Sequence, residues 1–485
     1  MLPDLPSPRE RRIDAHALEL SADAAARNGM DRRKFLGTAA GVAAFLTACN
    51  TSDKRTAAST TTRARPSTTS TSRFVVPPPT ELAACEHALS GTELIVDVHT
   101  HHVVPDGPWR DAARSQEAMI RRLVPYGCAE DDGLDCLDRL SYLHDIFLAS
   151  DTTIAMLSDV PNGGPSDGPL PWEEKRATRR LADQLTANGA PRVILHDVLA
   201  PNFGPLAERL DDMEATVATG QVAAFKVYTA WGPEGRGWAL DDPAIGLPVL
   251  EKARELGVKV ICAHKGLPIM GFDRAYNNPR DLVACAARYP DLNFVVYHGG
   301  FERETTEGPY DPARAATGIS SLVKALDDHG IPPSANVWAE LGTTWRELLD
   351  TPTQAAHALG KLLSRVGVDR VLWGTDAIWL GSPQPQIMAF RAFEIGADLQ
   401  EQHGYPALTS EVKAMVLGQN AVNLLDIDAD AQRCGLDADG LSAARAEHSA
   451  MVDEGAITSA WAPRGPMDRR QVFSWLASMK TPFVP

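Results

Sequence analysis

Residues 94–105 read LIVDVHTHHVVP, a run of apolar and β-branched residues that ends in three histidines. A run of this composition favours a buried β-strand. Because side chains alternate between the two faces of a strand, we expect His99 and His101 to project to one side and His102 to the other. Two neutral imidazoles at one strand end supply half of a metal site. The alternative interpretation is a pair of polar residues that leave the core at the edge of a sheet.

Short β-branched runs alternate with helical segments from this stretch onward. Several helical segments carry Pro in the first turn and end on Gly, as TPTQAAHALGKLLSRVG at 351–367 does. This alternation predicts an α/β fold, a (β/α)8 TIM barrel. A doubly wound open sheet is the alternative, but the first strand is followed by no G-x-G-x-x-G for a dinucleotide. The eight predicted strands are 94–98, 152–157, 192–199, 222–228, 258–263, 292–297, 336–341 and 370–373.

Barrel enzymes carry their chemistry at the carboxyl ends of the strands, and those ends are polar in this sequence. Although the residues are far apart along the chain, we expect them to meet at one mouth of the barrel. The strand-end residues that can bind a metal or move a proton are His99, His101, Lys226, His264, His298 and Asp376.

Other strand-end residues allow two interpretations each. Glu340, which ends strand seven, either touches the substrate or is a buried carboxylate paired with an arginine. Trp231, Trp345 and Trp379 follow strand ends and either line an apolar pocket or pack down as lids.

The motifs at these strand ends resemble those of the amidohydrolase superfamily, in its amidohydrolase-related (amidohydrolase 2) branch. They are AHKGLP at 263–268, YHGG at 297–300, LWGTD at 372–376 and a terminal LGQNAVNLL at 417–425, in the order of that family. The resemblance covers roughly residues 94 to 427. The branch includes hydrolases, decarboxylases and hydratases.

The resemblance implies a divalent metal, with zinc the first expectation, held by His99, His101, His264 and Asp376. Asp376 would also accept the proton of an activated water. His298 would polarise the substrate or shuttle a proton, or it would bind a second metal. Lys226 lies where some superfamily members carry a carboxylated lysine that bridges two metals. One metal is favoured, and two are expected if Lys226 is carboxylated.

The function expected first is hydrolysis of a C–N or C–O bond in a small-molecule amide, lactone or ester. The alternative is non-oxidative decarboxylation or hydration of an unsaturated or aromatic carboxylic acid, because the residues required overlap. A protein of another class, a substrate-binding lipoprotein without turnover, is disfavoured because the predicted ligand set is intact.

The first fifty residues resemble an export signal. In DRRKFLGTAAGVAAFLTACN, residues 31–50, twin arginines precede an apolar run that ends in Leu46-Thr47-Ala48-Cys49, which resembles a bacterial lipobox. An ordinary amphipathic N-terminal helix is the alternative. We therefore expect a twin-arginine signal at 1–49, with the protein anchored through lipidated Cys49 to the outer face of the cytoplasmic membrane.

The remaining expected divisions are a Ser/Thr/Pro-rich linker at 50–80, the metal-dependent hydrolase barrel at 81–427 and a helical extension at 428–485. The linker has too few large apolar residues to fold. The extension contains two amphipathic stretches, near LSAARAEHSAMVDEG and near DRRQVFSWLASM. A homodimer is left open.

The formal charge of −16 argues against nucleic acid and against an anionic membrane surface as partners. The seven cysteines form no C-x-x-C pair, so a cysteine zinc site is not expected. Cys128 and Cys136 are close enough in sequence to be candidates for a disulfide.

Overall fold

Eight parallel strands dominate the computed structural model, which describes residues 8–59, 72–112, 120, 134–164, 168–186, 191–269, 271–379, 381–428 and 440–454. Each strand pairs in parallel with the next along the chain. The first and last strands are joined by the N–H of Val98, which donates to the Trp373 carbonyl, and by a bridge from Thr100 to Ala377. The strands are β2 (Val96–Thr100), β3 (Ile154–Leu157), β4 (Val193–Leu199), β5 (Val222–Val227), β6 (Val260–His264), β7 (Asn293–Tyr297), β8 (Val337–Glu340) and β9 (Val371–Leu372).

Helices follow most of the strands and cover the outside of the sheet. The predicted fold, a TIM barrel, is therefore confirmed, and each of the eight strands lies within two residues of its predicted bounds. The helices between and after the strands are Trp109–Ala112, Arg139–Leu143, Trp172–Ala182, Leu206–Val217, Gly246–Glu255, Arg280–Arg288, Ile319–His329, Thr344–Leu348, Pro352–Arg365, Gln384–Ala392, Ala397–His403, Ser410–Ala414 and Asn420–Leu425.

Two apolar layers hold the barrel together, because alternate strand residues face opposite sides of the sheet. Residues such as Met156, Cys262 and Tyr297 form an inner cluster with Ala421 and Val422 of the helix Asn420–Leu425. The intervening strand residues pack outward against the helices. The inner layer supports the residues at the mouth from below.

The N-terminal segment is helical and packs on the barrel. Helices Pro8–Arg27 and Ala39–Ser59 lie against each other, and the second also contacts the helices Leu82–Leu89, Pro352–Arg365 and Gln384–Ala392. Within it Phe45, Leu46 and Cys49 are all at most 2% exposed. These residues are the apolar run predicted to be an export signal. The export signal rests on the sequence pattern alone and stays a prediction.

Part of the predicted linker takes a defined place in the fold. Strand β1 (Arg73–Phe74) pairs antiparallel with β10 (Phe393–Glu394). The Asn50 side chain accepts a hydrogen bond from the Phe74 N–H and donates one to the Phe74 carbonyl. The Ser/Thr-rich residues 60–71 lie outside the described residues.

The predicted C-terminal helix near residue 441 is present as Gly440–Asp453. Arg445 ties it to the barrel by donating hydrogen bonds to the carbonyls of Phe147 (2.7 Å) and Thr152 (2.5 Å). The helix thereby covers the chain leading into β3. The second predicted stretch, near residue 470, lies outside the described residues.

None of the helices in the described part of the chain combines the length and apolar character that crossing a membrane requires. Cys136 is part of a disulfide, and Cys128 lies outside the described residues. Cys85, Cys262 and Cys285 are buried free thiols, and Cys49 is buried as well.

Candidate metal centre

His99, His101 and Asp376 converge at the mouth of the barrel. His99 lies in β2, His101 follows that strand directly, and Asp376 follows β9, which is the neighbour that closes the barrel. Asp376 Oδ1 is 3.5 Å from His99 Nε2 and 3.3 Å from His101 Nε2. The predicted convergence of both histidines with Asp376 is therefore observed, and one nitrogen from each ring faces a single carboxylate oxygen.

Hydrogen bonds fix the outer nitrogen of each ring. His101 Nδ1 lies 2.8 Å from the Ser158 carbonyl oxygen, and His99 Nδ1 lies 3.3 Å from Glu340 Oε2. A ring N–H directed at a carbonyl or carboxylate leaves the other nitrogen as a lone pair, and this is the usual arrangement of metal-binding histidines. Burial lowers the pKa of both imidazoles, so each ring is held neutral.

The three inward atoms fit a divalent cation. Two imidazole lone pairs and a carboxylate oxygen repel one another unless a positive charge lies between them. A tetrahedral zinc site with bonds of about 2.0–2.1 Å has edges of about 3.3 Å between its ligand atoms. The distances of 3.3 and 3.5 Å match that edge. His99, His101 and Asp376 accordingly form one of two groups in the described residues that could hold a metal.

Both carboxylate oxygens of Asp376 accept a hydrogen bond. Thr343 Oγ1 donates to Oδ2 at 2.6 Å, and Trp379 Nε1 donates to Oδ1 at 3.2 Å. Burial alone would raise the pKa of Asp376, but its polar surroundings hold the pKa well below its usual value. The carboxylate is therefore ionised and orientated.

Three residues of the site adopt the left-handed backbone region that non-glycine residues rarely occupy. The φ angles are 65° at His298, 57° at Thr343 and 59° at Asp376. Each such residue costs about 1–3 kcal/mol and tends to occur where function requires a particular side-chain direction. The backbone at the mouth is thus shaped to present these side chains.

His264 and His298 are brought to the same mouth but contact each other. His264 Nδ1 lies 3.1 Å from His298 Nε2, while His264 Nε2 faces the Leu267 carbonyl at 3.2 Å. His298 Nδ1 is bonded to the Gly342 carbonyl at 2.7 Å. Burial lowers the pKa of His298 to about 4, so the ring is neutral. His264 belongs to neither metal-binding group of the described residues, and its predicted role as a ligand remains a prediction.

Lys226 is fully buried beside the candidate ligands. Its Nζ lies 2.9 Å from His99 Nε2 and 4.4 Å from the centre of the Tyr297 ring. Burial lowers the pKa of Lys226 to about 8, while Asp376 and Glu340 oppose that shift. The predicted proximity to the centre is therefore observed, and the amine sits against the same nitrogen that faces Asp376.

Glu340 occupies a position that the sequence did not reveal. None of the described arginines pairs with it; its Oε2 accepts the His298 N–H at 3.0 Å, and its Oε1 accepts the Gly342 N–H. With its 3.3 Å contact to His99 Nδ1, it links two histidines of the mouth. Together with His99 and His298 it forms the second group that could hold a metal. Burial raises the pKa of Glu340 to about 8.

Glycines make room for Glu340. A Cβ on Gly374, in the LWGTD motif, would overlap Glu340 Oε1 and lie 2.9 Å from His99 Cβ. A Cβ on Gly342 would lie 2.5 Å from His99 Nδ1. The glycine of LWGTD therefore marks, within the sequence, a point where a side chain packs against the backbone.

The three tryptophans have different surroundings. Trp379 stacks on His101 with ring centres 5.4 Å apart, and Trp231 lies 6.2 Å from Phe272, which contacts His264. Trp345 instead packs on Phe390 and Phe393, away from the centre. Trp379 and Trp231 therefore stand near the mouth, and Trp345 belongs to the outer core.

His102 faces away from the site, as strand alternation predicted. Its Nε2 lies 2.8 Å from Thr178 Oγ1 on the helix Trp172–Ala182, and its ring packs on Tyr142. His196 lies below the mouth, with its Nε2 3.2 Å from the Tyr297 hydroxyl.

Comparison with known proteins identifies the family to which this centre belongs. Residues 96–427, more than half of the chain, match the family model described as amidohydrolase. The chain belongs to the amidohydrolase family. Amidohydrolase-family proteins bind a divalent metal, and the histidine and aspartate group described above provides donors for one here. No curated protein matches the chain.

Solved structures similar to this amidohydrolase include three chains of low sequence identity. An uncharacterised TIM-barrel protein from Bordetella bronchiseptica is 13% identical with a TM-score of 0.45, over 68% of this chain and 98% of that one. A 4-oxalomesaconate hydratase from Rhodopseudomonas palustris is 15% identical with a TM-score of 0.39, over 75% and 99%. A dihydroxybenzoic acid decarboxylase from a Polaromonas species, with bound manganese, is 13% identical with a TM-score of 0.36, over 70% and 98%.

Proposed function

We propose that this amidohydrolase is a metal-dependent hydrolase that cleaves a C–N or C–O bond of a small-molecule amide, lactone or ester. The observation that carries the proposal is the convergence of His99 Nε2, His101 Nε2 and Asp376 Oδ1, with the outer nitrogen of each ring already bonded. Zinc is the ion we expect, because neutral imidazoles and one carboxylate in a tetrahedral spacing are its usual donors. A divalent ion at this position supplies Lewis acidity and lowers the pKa of water from about 15.7 towards about 7.

Residues of the chain itself would transfer protons and exclude bulk water. Asp376 is ionised and held by Thr343 and Trp379, so it can accept a proton from the attacking water. His298 is neutral, and its Nε2 faces the mouth beside His264, so it can hold or release a proton near the leaving group. Trp379 covers the face of His101 and limits the access of bulk water.

The chemical state of Lys226 determines whether the centre would hold one metal ion or two. An unmodified amine, displaced from His99 Nε2 once that atom binds a metal, would serve as a nearby cation and proton donor, whereas a carboxylated lysine would hold two ions. We propose one ion per chain and an unmodified lysine. Metal analysis should give about one equivalent, and intact mass under non-denaturing conditions should show no addition of carbon dioxide at Lys226.

The same residues support the alternative, decarboxylation or hydration of an unsaturated or aromatic acid. His298 or Asp376 would then deliver a proton to carbon instead of assisting cleavage of a carbon–heteroatom bond.

The test is turnover by the full chain after metal removal and reloading. Wild-type protein and Asp376→Asn would be supplied with zinc or manganese and offered an aryl ester, a lactone, an N-acyl amide and an aromatic hydroxy acid. The proposal requires ester, lactone or amide cleavage that disappears with chelator and in the variant. Loss of carbon dioxide from the acid alone would replace it with the alternative, and bound metal without turnover would favour a binding protein.

Export is a separate proposal supported by the order of twin arginines, apolar run and Leu-Thr-Ala-Cys in the sequence. We propose that the chain leaves the cytoplasm by the twin-arginine route and is lipidated at Cys49. Fractionation and lipid labelling of the natural chain, compared with Cys49→Ala and with Lys in place of Arg32 and Arg33, would test this. Unlabelled Cys49 in a soluble cytoplasmic fraction would contradict it.

A further inference from the structure

A second group of histidines lies outside the candidate centre, where the C-terminal helix meets the barrel. His144 begins the helical turn His144–Leu148, which precedes β3, and His448 lies on the helix Gly440–Asp453. Although 304 residues separate them along the chain, their Nε2 atoms are 2.9 Å apart and their ring centres are 4.8 Å apart. The two rings therefore form a direct contact between the C-terminal helix and the wall of the barrel.

Asp145 orientates the first of these rings. Its Oδ1 lies 2.7 Å from His144 Nδ1, and its side chain is 7% exposed. A carboxylate that holds the proton on one ring nitrogen leaves a lone pair on the other nitrogen and makes that lone pair a stronger ligand for a metal. His144 Nε2, the nitrogen that faces His448, is the one that this arrangement leaves with the lone pair.

His448 meets that nitrogen from a buried position. The residue is 7% exposed, and burial lowers the pKa of its imidazole, with His144 adding to that effect and Asp145 opposing it. The ring is therefore neutral near pH 7 and offers a lone pair of its own. Since Asp145 is an anion, a cation between the two rings would be attracted to the pair.

The spacing of the two nitrogens suits a particular class of cation. With metal–nitrogen bonds of about 2.0–2.1 Å, neighbouring ligand atoms are about 3.3 Å apart in a tetrahedral site. In an octahedral or square-planar site with bonds of that length they are about 2.9 Å apart. The observed separation of 2.9 Å matches the second geometry. Ni²⁺ and Cu²⁺ take such geometries, and imidazole is among their preferred ligands.

We propose that His144 and His448 bind a divalent transition-metal ion of the Ni²⁺ or Cu²⁺ class, which fastens the helix Gly440–Asp453 to the barrel. The two imidazoles supply two ligands, and water would complete the coordination shell on the side of His144, whose side chain is 32% exposed. This site shares no residue with the candidate centre. It is independent of the proposed function.

The ion would strengthen a contact that the helix already makes. Arg445, on the same helix as His448, donates hydrogen bonds to the carbonyls of Phe147 and Thr152. The helix is thus docked without a metal, with His144 and His448 sharing one proton. A cation that binds only when both rings are in place shifts the equilibrium further towards the docked helix, by mass action.

The test follows cleavage by trypsin after Arg445, a bond that the protease reaches when the helix leaves the barrel. The full chain, without a polyhistidine tag and freed of metal, would receive Ni²⁺ alone, with affinity measured by calorimetry and cleavage by mass spectrometry. At ten times the dissociation constant, Ni²⁺ should slow this cleavage about tenfold. Mn²⁺, the weakest binder of the series, should protect little at the same concentration. A small arginine ester would control for any effect of Ni²⁺ on trypsin itself.

Substitutions at the pair should remove the protection. His144→Gln and His448→Gln should each lose it, together with one class of Ni²⁺ sites in calorimetry. His357→Gln is the matched control, because His357 is also 7% exposed and its ring centre is 5.4 Å from that of His403, but its Nδ1 faces the Tyr405 hydroxyl at 3.1 Å. His357→Gln should keep the protection in full.

Two outcomes would overturn the inference: unchanged cleavage after Arg445 when Ni²⁺ is added to the wild type, or protection that survives in His144→Gln. Unchanged cleavage would mean that the two rings share only a proton, and this wild-type result decides even if a variant no longer docks its helix. Failure of the proposed function is a separate result. Asp376→Asn, which alters the candidate centre, should still be protected after Arg445.

Discussion

Glu340 offers the sharpest test of how the centre is organised. Its two oxygens receive the His298 N–H at 3.0 Å, the Gly342 N–H and a contact of 3.3 Å with His99 Nδ1. In Glu340→Gln one oxygen becomes an amino group, which must face at least one of these donors. A buried donor left unpaired costs about 1–3 kcal/mol of stability.

The larger effect expected of Glu340→Gln is on metal affinity. Removing the hydrogen-bond partner of a metal-binding histidine costs about 10- to 100-fold in metal affinity. Since tenfold corresponds to about 1.4 kcal/mol, the expected loss is about 1.4–2.8 kcal/mol of binding free energy. Chelator competition with zinc and with manganese would measure it, and denaturant unfolding of the metal-free proteins would measure stability.

Glu307 supplies the control. It is 2% exposed, and its oxygens accept hydrogen bonds from Lys361 Nζ at 2.5 Å and from the Ile319 N–H at 2.9 Å, away from the centre. Glu307→Gln should lose at least as much stability, because it leaves the buried Lys361 ammonium without its counter-ion, but metal binding should not weaken. The reasoning is refuted if Glu340→Gln binds metal within twofold of the wild type, or if Glu307→Gln loses as much affinity.

Three further predictions follow from the same contacts. Asp376→Asn should weaken metal binding by more than about 100-fold, the upper cost of losing a residue that only supports a ligand, because Asp376 is itself a ligand. A smaller loss in chelator competition would show that Asp376 is not a ligand. Gly374→Ala should displace Glu340 and lower both stability and metal affinity, measured by the same two assays, and unchanged affinity would contradict the packing described. Burial lowers the pKa of His102 from 6.5 to about 4, so the unfolded state takes up its proton first as the pH falls. The wild type should therefore lose up to about 3 kcal/mol relative to His102→Gln between pH 6.5 and 4, at about 1.36 kcal/mol per unit, in denaturant titrations; parallel curves would contradict it.

The barrel strands were predictable because each is a short β-branched run between helices with clear ends. Alternation alone predicted that His99 and His101 face one side and that His102 faces the other, as observed. Asp376 could be placed because barrel chemistry lies at strand ends. These inferences need only local pattern and the topology of the fold.

The contacts that organise the centre were not predictable in the same way. Glu340 is 241 residues from His99, and no spacing shows which carboxylate faces which N–H. The pairing of His264 with His298 depends on ring orientations set by the carbonyls of Leu267 and Gly342. Thr343, which holds Asp376, stands in a turn with positive φ that its residue type does not announce.

The placement of Cys49 has a consequence for the life of the chain. Its thiol is enclosed in the helix Ala39–Ser59, and the next residue, Asn50, is bonded twice to the backbone of Phe74. An acyl-transferring enzyme needs that sulfur in the open, so a lipid tail and the docked helix exclude each other. Lipidation of Cys49 would therefore require that the helix Ala39–Ser59 first leave the barrel and that the two Asn50–Phe74 hydrogen bonds break. The step that releases the helix would then determine when a lipidated chain is attached to the membrane.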